Sequence, residues 1–127
     1  MKVLGIDYGE KRIGLAVSDE SQTFARELDI LSPKEFWESL NLLILNHSIG
    51  LIVLGWPLNM SGEITEKTKE VESFKLKVES ETKLPVEIMD ERLSSQMAEN
   101  ISGNKKNLDS LAAQILLQNY LDRNKNS

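Results

Sequence analysis

The sequence predicts an α/β fold in which helices pack on both faces of a mixed five-stranded sheet. Two observations predict it: short apolar runs bounded by turn residues open the chain, and later apolar runs alternate with stretches of helical periodicity. A three-strand meander, then helix, strand, helix, strand and two helices, forms a layered architecture of this kind. The 127 residues suit one domain. We assign it to residues 1–122, and we expect the polar tail 123–127 to fray.

Three strands are predicted in the first quarter of the chain. Residues 3–7 are apolar and free of helix breakers, and a second apolar run over 12–18 follows a turn marked by Gly9. Residues 23–30 alternate less regularly but carry apolar side chains. This segment therefore predicts an antiparallel edge strand.

A helix is predicted to begin at Ser32. A serine cap, Pro33 at the first helical position and Glu35 three residues after the cap together form a capping-box signature. The helix is expected to end near Gly50. Its apolar residues recur at helical spacing and predict one buried face: Phe36, Trp37, Leu40, Leu43 and Ile44.

The second half of the chain predicts two more strands and the helices around them. Residues 51–54 form a continuous apolar run bounded by glycines, which indicates a central strand, and 86–89 predict another short buried strand. A polar helix between them buries Val71, Phe74 and Val78. Ser94 or Ser95 caps a brief helix, and 102–107 form a basic loop. The last helix places these residues inward: Leu108, Leu111, Ala112, Ile115 and Leu116.

The composition restricts the chemistry to oxygen ligands. With no cysteine there is no disulfide framework, thiolate zinc site or cysteine nucleophile, and the single His47 cannot form a multi-histidine site. No apolar run approaches the roughly 20 residues that span a membrane, and the first residues lack the apolar core of a secretory signal. We therefore expect a cytoplasmic protein with no membrane partner.

Three acidic residues follow or open apolar elements far apart in the chain. Asp7 follows the first strand, Glu91 follows the last strand, and Asp109 opens the terminal helix. Carboxylates that repel one another stay ionised together around a cation, and such trios serve phosphodiester hydrolysis with Mg²⁺ or Mn²⁺. As a hypothesis, Asp7 bridges two ions about 4 Å apart while Glu91 and Asp109 complete their ligand shells.

The net charge of −5 counts against a nucleic-acid partner, because most such proteins carry an overall basic surface. An acidic enzyme can still bind phosphates through metal ions and a local basic rim. Asn59 lies in a loop that could also form a phosphate nest. The basic residues expected near the site are Lys11, Arg12, Arg92, Lys105 and Lys106.

Four ordered blocks resemble the YqgF/RuvX family across nearly the whole chain. They are Gly-Ile-Asp-Tyr-Gly at 5–9 with Lys-Arg-Ile-Gly-Leu-Ala-Val-Ser-Asp at 11–19, Gly-Trp-Pro-Leu-Asn-Met-Ser-Gly at 55–62, Asp-Glu-Arg-Leu at 90–93, and Asp109 with the helix leading to Asp122. The chain differs from many members at Glu10 and Trp56, and its basic loop before Asp109 is short.

This resemblance implies an RNase H-like fold and a bacterial nuclease. It further implies activity in trimming the 5′ end of the small-subunit ribosomal RNA precursor, or in resolving Holliday junctions. By motif position, the metal-binding catalytic carboxylates are Asp7, Glu91 and Asp109. The partner is then a structured RNA or a branched DNA, and a homodimer is one possible assembly.

Simpler interpretations stand beside these. Asp7 could cap a turn, Glu91 could pair with Arg92, and Asp109 could interact with the helix dipole. Tyr8 and Trp56 could stack on bases, although aromatic residues beside strands more often pack in the core. Two other functions also remain: a noncatalytic RNA-binding assembly factor, and an ATPase or sugar kinase, against which the length of the chain argues.

Overall fold

The computed structural model describes residues 1–57, 62–90 and 108–125. The predicted brief helix and basic loop between residues 94 and 107 lie outside these ranges. In chain order the elements are β1 (Lys2–Asp7), β2 (Ile13–Ser18), β3 (Ala25–Leu31), α1 (Pro33–His47), β4 (Ile49–Trp56), α2 (Glu66–Thr82), β5 (Val86–Asp90) and α3 (Leu108–Lys125). Within these ranges no helix is long and apolar enough to cross a membrane.

The five strands form one mixed sheet in the order β3-β2-β1-β4-β5. β2 is antiparallel to both β1 and β3, whereas β1, β4 and β5 run parallel to one another. The register aligns Ile6 with Leu54 and Leu54 with Ile88. The predicted mixed sheet is confirmed, and the carboxyl ends of its three parallel strands lie at one edge.

Helices α1 and α2 cover one face of the sheet. Ser32 caps α1 as expected: its hydroxyl accepts the Glu35 N–H at 3.2 Å, and the Glu35 carboxylate accepts the Ser32 N–H at 3.0 Å. The helix ends at His47 rather than near Gly50, because Ser48 itself adopts the left-handed conformation that closes it. The main buried residues contributed by the two helices are Phe36, Leu40, Val71, Phe74 and Val78.

Helix α3 covers the opposite face, so helices lie on both faces as predicted. The residues that join the sheet in its core cluster are Ala113, Leu117, Tyr120 and Leu121. Of the predicted inward set, Leu116, Ala112 and Ile115 are buried, but Ala112 and Ile115 belong to a separate small cluster with Leu111 and do not join the sheet cluster. Apolar residues occupy more than one side of α3, so periodicity alone did not determine which side faces the sheet.

Two other predictions need correction. The strand expected to be buried, β5, is an edge strand in which Val86 is buried while Glu87, Ile88 and Asp90 are exposed. It is exposed because it pairs with β4 on one side only within the described residues. The fraying expected from residue 123 does not occur at residues 123–125, because α3 continues through Lys125 and its Arg123 and Asn124 lie beside β5.

Candidate metal and nucleic-acid site

Asp7 is the last residue of β1, in the interior of the sheet. It lies opposite Gly14 of β2, and its neighbour Ile6 is in register with Leu54 of β4. The side chain is half-buried. Because side chains alternate along a strand, Asp7 points to the same face as Val3, which packs in the cluster under α3. A carboxylate at this place is flanked by backbone on both sides and covered by a helix on one face.

The carboxyl end of β5 lies at the same edge of the sheet. Asp90, its last residue, is in register with Trp56 of β4. Two strand spacings separate β1 from β5, so the backbones of Asp7 and Asp90 are about 10 Å apart. Alternation from Val86 places Asp90 on the face opposite that of Asp7, which agrees with leaving Asp90 out of the predicted trio. Glu91 lies outside the described residues.

Side-chain contacts with β3 reveal the direction of α3. Gln114 donates to the Ala25 carbonyl at 3.2 Å, while Gln118 accepts the Ala25 N–H at 2.8 Å and donates to the Thr23 carbonyl at 2.9 Å. Residue numbers therefore rise along α3 where they fall along β3, so the two elements are antiparallel. Since β3 runs in the same direction as β1, α3 runs against β1. Its first turn, which contains the backbone of Asp109, points toward the Asp7 end of the sheet. The Asp109 side chain lies outside the described part of the chain.

The turn between β1 and β2 carries two of the predicted phosphate-binding residues. Lys11 and Arg12 are exposed in this turn, beside the carboxyl end of β1. Gly9 is needed there because a Cβ at this position would lie 2.6 Å from the Arg12 carbonyl oxygen. The turn is therefore tight enough to keep both cations near Asp7. The other polar and basic residues predicted to bind substrate lie outside the described ranges: Asn59, Arg92, Lys105 and Lys106.

The two aromatic candidates both contact the core. The Tyr8 ring lies 4.6 Å from the Phe74 ring, centroid to centroid. Burial raises the Tyr8 pKa, and the charges of Glu70 and Glu10 raise it further. Trp56 is half-buried and packs against the same core cluster. Packing against the core thus explains why both aromatic side chains lie where they do. A stacking contact between Trp56 and a nucleic-acid base stays a prediction.

The structure contains an acidic cleft beside this edge that the sequence did not predict. It has a volume of about 470 Å³ and lies between the β1–β2 turn and the first turns of α2. Thr68 fixes this end of α2, because its buried hydroxyl donates to the Pro57 carbonyl at 2.5 Å, just after β4. No motif links residue 10 to residues 66–70, so only the fold could bring them together. The lining residues are Glu10, Lys11, Glu66, Lys67 and Glu70.

The described side chains contain no group of three or more acidic, histidine or cysteine residues that could hold a metal ion. Two members of the predicted trio fall outside this set, so the trio remains a prediction. Three segments do end or begin at one edge of the sheet: β1 with Asp7, β5 with Asp90 before Glu91, and the first turn of α3. Carboxylate oxygens, which the predicted trio would supply, are the ligands that a hard divalent cation prefers.

A family model described as "RuvX: Holliday junction resolvase" matches residues 1–123. A protein of Maridesulfovibrio salexigens named "Putative pre-16S rRNA nuclease" is 41% identical over 134 residues, covering 97% of this chain and 99% of its own. A protein of Caldanaerobacter subterraneus with the same name is 39% identical over 139 residues, covering 100% of both chains.

Solved structures share the fold. Thermus thermophilus RuvC in complex with a Holliday junction substrate matches with a TM-score of 0.62 at 17% identity, covering 100% of this chain and 97% of its own. The fowlpox virus Holliday junction resolvase matches with a TM-score of 0.56 at 13% identity, covering 97% of this chain and 99% of its own. These identities establish the fold alone, and that fold is RNase H-like.

Proposed function

Because the chain belongs to the RuvX family, we propose that it is a metal-dependent endonuclease that hydrolyses phosphodiester bonds at the carboxyl edge of its parallel strands. The observation that carries the proposal is the arrangement of three segments at that edge. β1 ends there at Asp7, β5 ends there one residue before Glu91, and α3 runs against β1 so that its first turn points there.

The chemistry of the residues fits Mg²⁺ or Mn²⁺. The ligands would be the carboxylates of Asp7, Glu91 and Asp109, and hard cations bind such oxygen atoms in preference to nitrogen or sulfur. The absence of cysteine from the chain agrees with this choice. When bound, the ions supply an activated water and stabilise the leaving oxygen.

The remaining candidate residues orient the substrate. Lys11 and Arg12 in the tight β1–β2 turn neutralise phosphates beside the scissile bond, with help from Arg92, Lys105, Lys106 and Asn59. The half-buried position of Asp7 limits its rotamers, which keeps its oxygens aimed at one place. The cleft on the α2 side carries three glutamates against two lysines, so apart from Lys11 on its rim it offers little attraction for the phosphate backbone.

The proposed substrate is the precursor of 16S ribosomal RNA, cleaved in maturation of its 5′ end. The names of the relatives at about 40% identity support this choice, and it places the activity in ribosome biogenesis in the cytoplasm. The second candidate is resolution of Holliday junctions in branched DNA, which the description of the matching family supports.

A cleavage assay with Mn²⁺ on both substrates, side by side, tests this function. We expect Asp7→Asn to lower the cleavage rate at least about 100-fold, because loss of a charged ligand weakens the metal site at least as much as loss of a residue that supports a ligand. Asp29→Asn, an exposed carboxylate on the edge strand β3, is the matched control and should cleave like the wild type. Equal rates for the two variants would remove Asp7 from the mechanism. Binding of RNA without cleavage by the wild type would favour a noncatalytic assembly factor.

A further inference from the structure

Thr68 is a buried polar residue in the first turn of α2, beside the candidate catalytic edge. Its side chain is 1% exposed, whereas the preceding residues Glu66 and Lys67 line the acidic cleft beside the β1–β2 turn. A buried hydroxyl needs hydrogen-bond partners within the protein, because it loses its contacts with water on folding. The partners of Thr68 therefore show what this side chain does.

The Thr68 hydroxyl has three hydrogen-bond partners. It donates to the Pro57 carbonyl oxygen at 2.5 Å, and it accepts the Thr65 N–H at 3.0 Å. The Thr65 hydroxyl lies 3.3 Å away and is the donor in that contact, because the one hydrogen of the Thr68 hydroxyl is already directed at Pro57. A hydroxyl has one hydrogen and two lone pairs, so all of its hydrogen-bonding capacity is used.

Helix capping explains only some of these contacts. Thr65 and Thr68 form the capping box of α2, and the residue of α1 that corresponds to Thr68 is Glu35. Glu35 is exposed, and its carboxylate only accepts a hydrogen bond, which is all that a capping box requires of this position. Thr68 is buried and also donates. Its hydroxyl therefore has a second role, at Pro57.

Pro57 is the first residue after β4, the strand in the middle of the candidate edge. β4 lies between β1, which ends at Asp7, and β5, which leads to Glu91. Proline has no N–H, which agrees with the end of β4 at this point, and the carbonyl is its one backbone hydrogen-bonding group. The Thr68 hydroxyl satisfies the carbonyl of this buried residue and so fixes the direction in which the chain leaves β4.

We propose that Thr68 is a positioning residue for substrate binding: by holding the Pro57 carbonyl, it sets the place of the Trp56 ring and of the chain that leaves β4 at the candidate edge. This inference rests on the proposed function. Trp56 is bonded directly to Pro57, and its half-buried ring packs on the face of the sheet that α1 and α2 cover. A displacement of Pro57 therefore moves the ring.

The contribution of Thr68 is to substrate affinity and not to the cleavage step. The three predicted metal ligands belong to other segments: Asp7 to β1, Glu91 to the residue after β5, and Asp109 to α3. β4 carries none of them. Loss of the bond to Pro57 therefore displaces residues expected to contact the nucleic acid while the metal ligands keep their places.

The first test follows the Trp56 ring without any substrate, which keeps its outcome separate from that of the nuclease proposal. The chain has two tryptophans, so Trp37→Phe leaves Trp56 as the single indole fluorophore. In that protein Thr68→Val should shift the emission to longer wavelength and make quenching by acrylamide faster, because valine has the shape of threonine but cannot donate to the carbonyl. Thr68→Ser keeps the hydroxyl and should leave both properties unchanged.

Thr65→Ala is the matched control for loss of the helix cap. It removes the capping hydroxyl of α2 and leaves the bond from Thr68 to Pro57 in place. We expect it to lower the urea midpoint of unfolding, as Thr68→Val also does, while the fluorescence of Trp56 stays that of the parent protein. The comparison separates a change in stability from a change in the position of the ring.

The second test separates binding from chemistry in the Mn²⁺-dependent cleavage of the 16S ribosomal RNA precursor. Thr68→Val should raise KM about tenfold and leave kcat nearly unchanged, because the lost contact supports substrate binding and not a metal ligand. Thr68→Ser and Thr65→Ala should keep the KM of the wild type. If the wild type does not cleave, filter binding measures the affinity for the same RNA, in which the same loss is expected.

Two results would overturn the proposal. One is a folded Thr68→Val protein in which the Trp56 fluorescence or the RNA affinity is unchanged, because the bond would then not control the end of β4 or its use in binding. The other is a loss of affinity that Thr65→Ala reproduces, which would reduce Thr68 to a helix cap. Thr68→Ala, which removes the hydroxyl without placing a methyl group against the carbonyl, serves if Thr68→Val does not fold.

Discussion

The Asp19 carboxylate organises the loop that joins β2 to β3. Its oxygens accept the N–H groups of Thr23 at 2.8 Å and Phe24 at 3.1 Å, and the Ser21 hydroxyl at 3.0 Å. Within the same loop Gln22 adopts a positive φ of 56°, a conformation that costs energy for a residue with a side chain. The hydrogen bonds to Asp19 offset that cost. They also hold the pKa of Asp19 below its ordinary value of 3.8.

Asp19→Asn should make folding less dependent on pH at acid values. A carboxylate whose pKa is lowered by folding contributes stability above its unfolded-state pKa, and that contribution disappears as pH falls through the folded-state pKa. The wild type should therefore be more stable than Asp19→Asn at pH 7, and the difference should shrink as pH falls below 3.8 and disappear below the lower pKa of the folded state. Urea unfolding from pH 7 to pH 2 measures it. A constant difference over that range would contradict the prediction.

The contact between β1 and α3 depends on Gly5. A Cβ at this position would lie 2.9 Å from the Leu117 Cβ and 3.3 Å from the Ala113 carbonyl oxygen. Without a side chain on Gly5, α3 approaches the sheet closely. This contact lies two residues before Asp7 in β1 and one to two helical turns after Asp109 in α3, so the packing of these two elements sets the separation of the Asp7 and Asp109 backbones.

Gly5→Ala should reduce both stability and activity. The added methyl overlaps Leu117, and overpacking of this kind costs about 1–3 kcal/mol. It should also displace α3 and lower the cleavage rate more than the loss of folded protein explains. Adding Leu117→Gly removes the Cβ that makes the closest contact and should restore part of the activity. The measurements are urea unfolding and Mn²⁺-dependent cleavage. Full activity in a stable Gly5→Ala protein would show that this spacing does not matter.

Across the whole molecule, the balance of charge near the proposed site is the property that most affects substrate binding. Lys11 and Arg12 lie in the β1–β2 turn beside the candidate edge, and Lys11 itself lines the acidic cleft together with Glu10, Glu66 and Glu70. Part of the overall charge of −5 is therefore concentrated beside the candidate edge. This negative charge lies where a phosphate backbone would otherwise approach.

Neutralising the cleft should strengthen nucleic-acid binding. Replacing Glu10, Glu66 and Glu70 with glutamine should raise RNA affinity about tenfold at low salt, with a smaller gain at 0.3 M because salt screens exposed charges. The matched control replaces three exposed glutamates away from the cleft, Glu27, Glu72 and Glu81. Both proteins have the same net charge, so filter binding over a salt series separates local from overall electrostatics. Equal gains in the two proteins would refute a local effect.

The sequence by itself determined the fold class, most of the elements and the position of Asp7. Capping residues, apolar periodicity and turn residues act over a few neighbouring positions, so Ser32 and Pro33 predicted α1, and the apolar run before Asp7 predicted β1. The ordered motifs then identified the family, and with it the expectation of a nuclease.

Only the tertiary structure decided which strands lie at the edges, which side of α3 faces the sheet, and which charges meet. The edge position of β5 follows from strand order, and the close approach at Gly5 selects Ala113 and Leu117 over the neighbouring apolar residues of α3. Glu10 and Glu66 share a cleft although 55 residues separate them in the chain. These features arise between segments distant in sequence, and local patterns carry no information about such contacts.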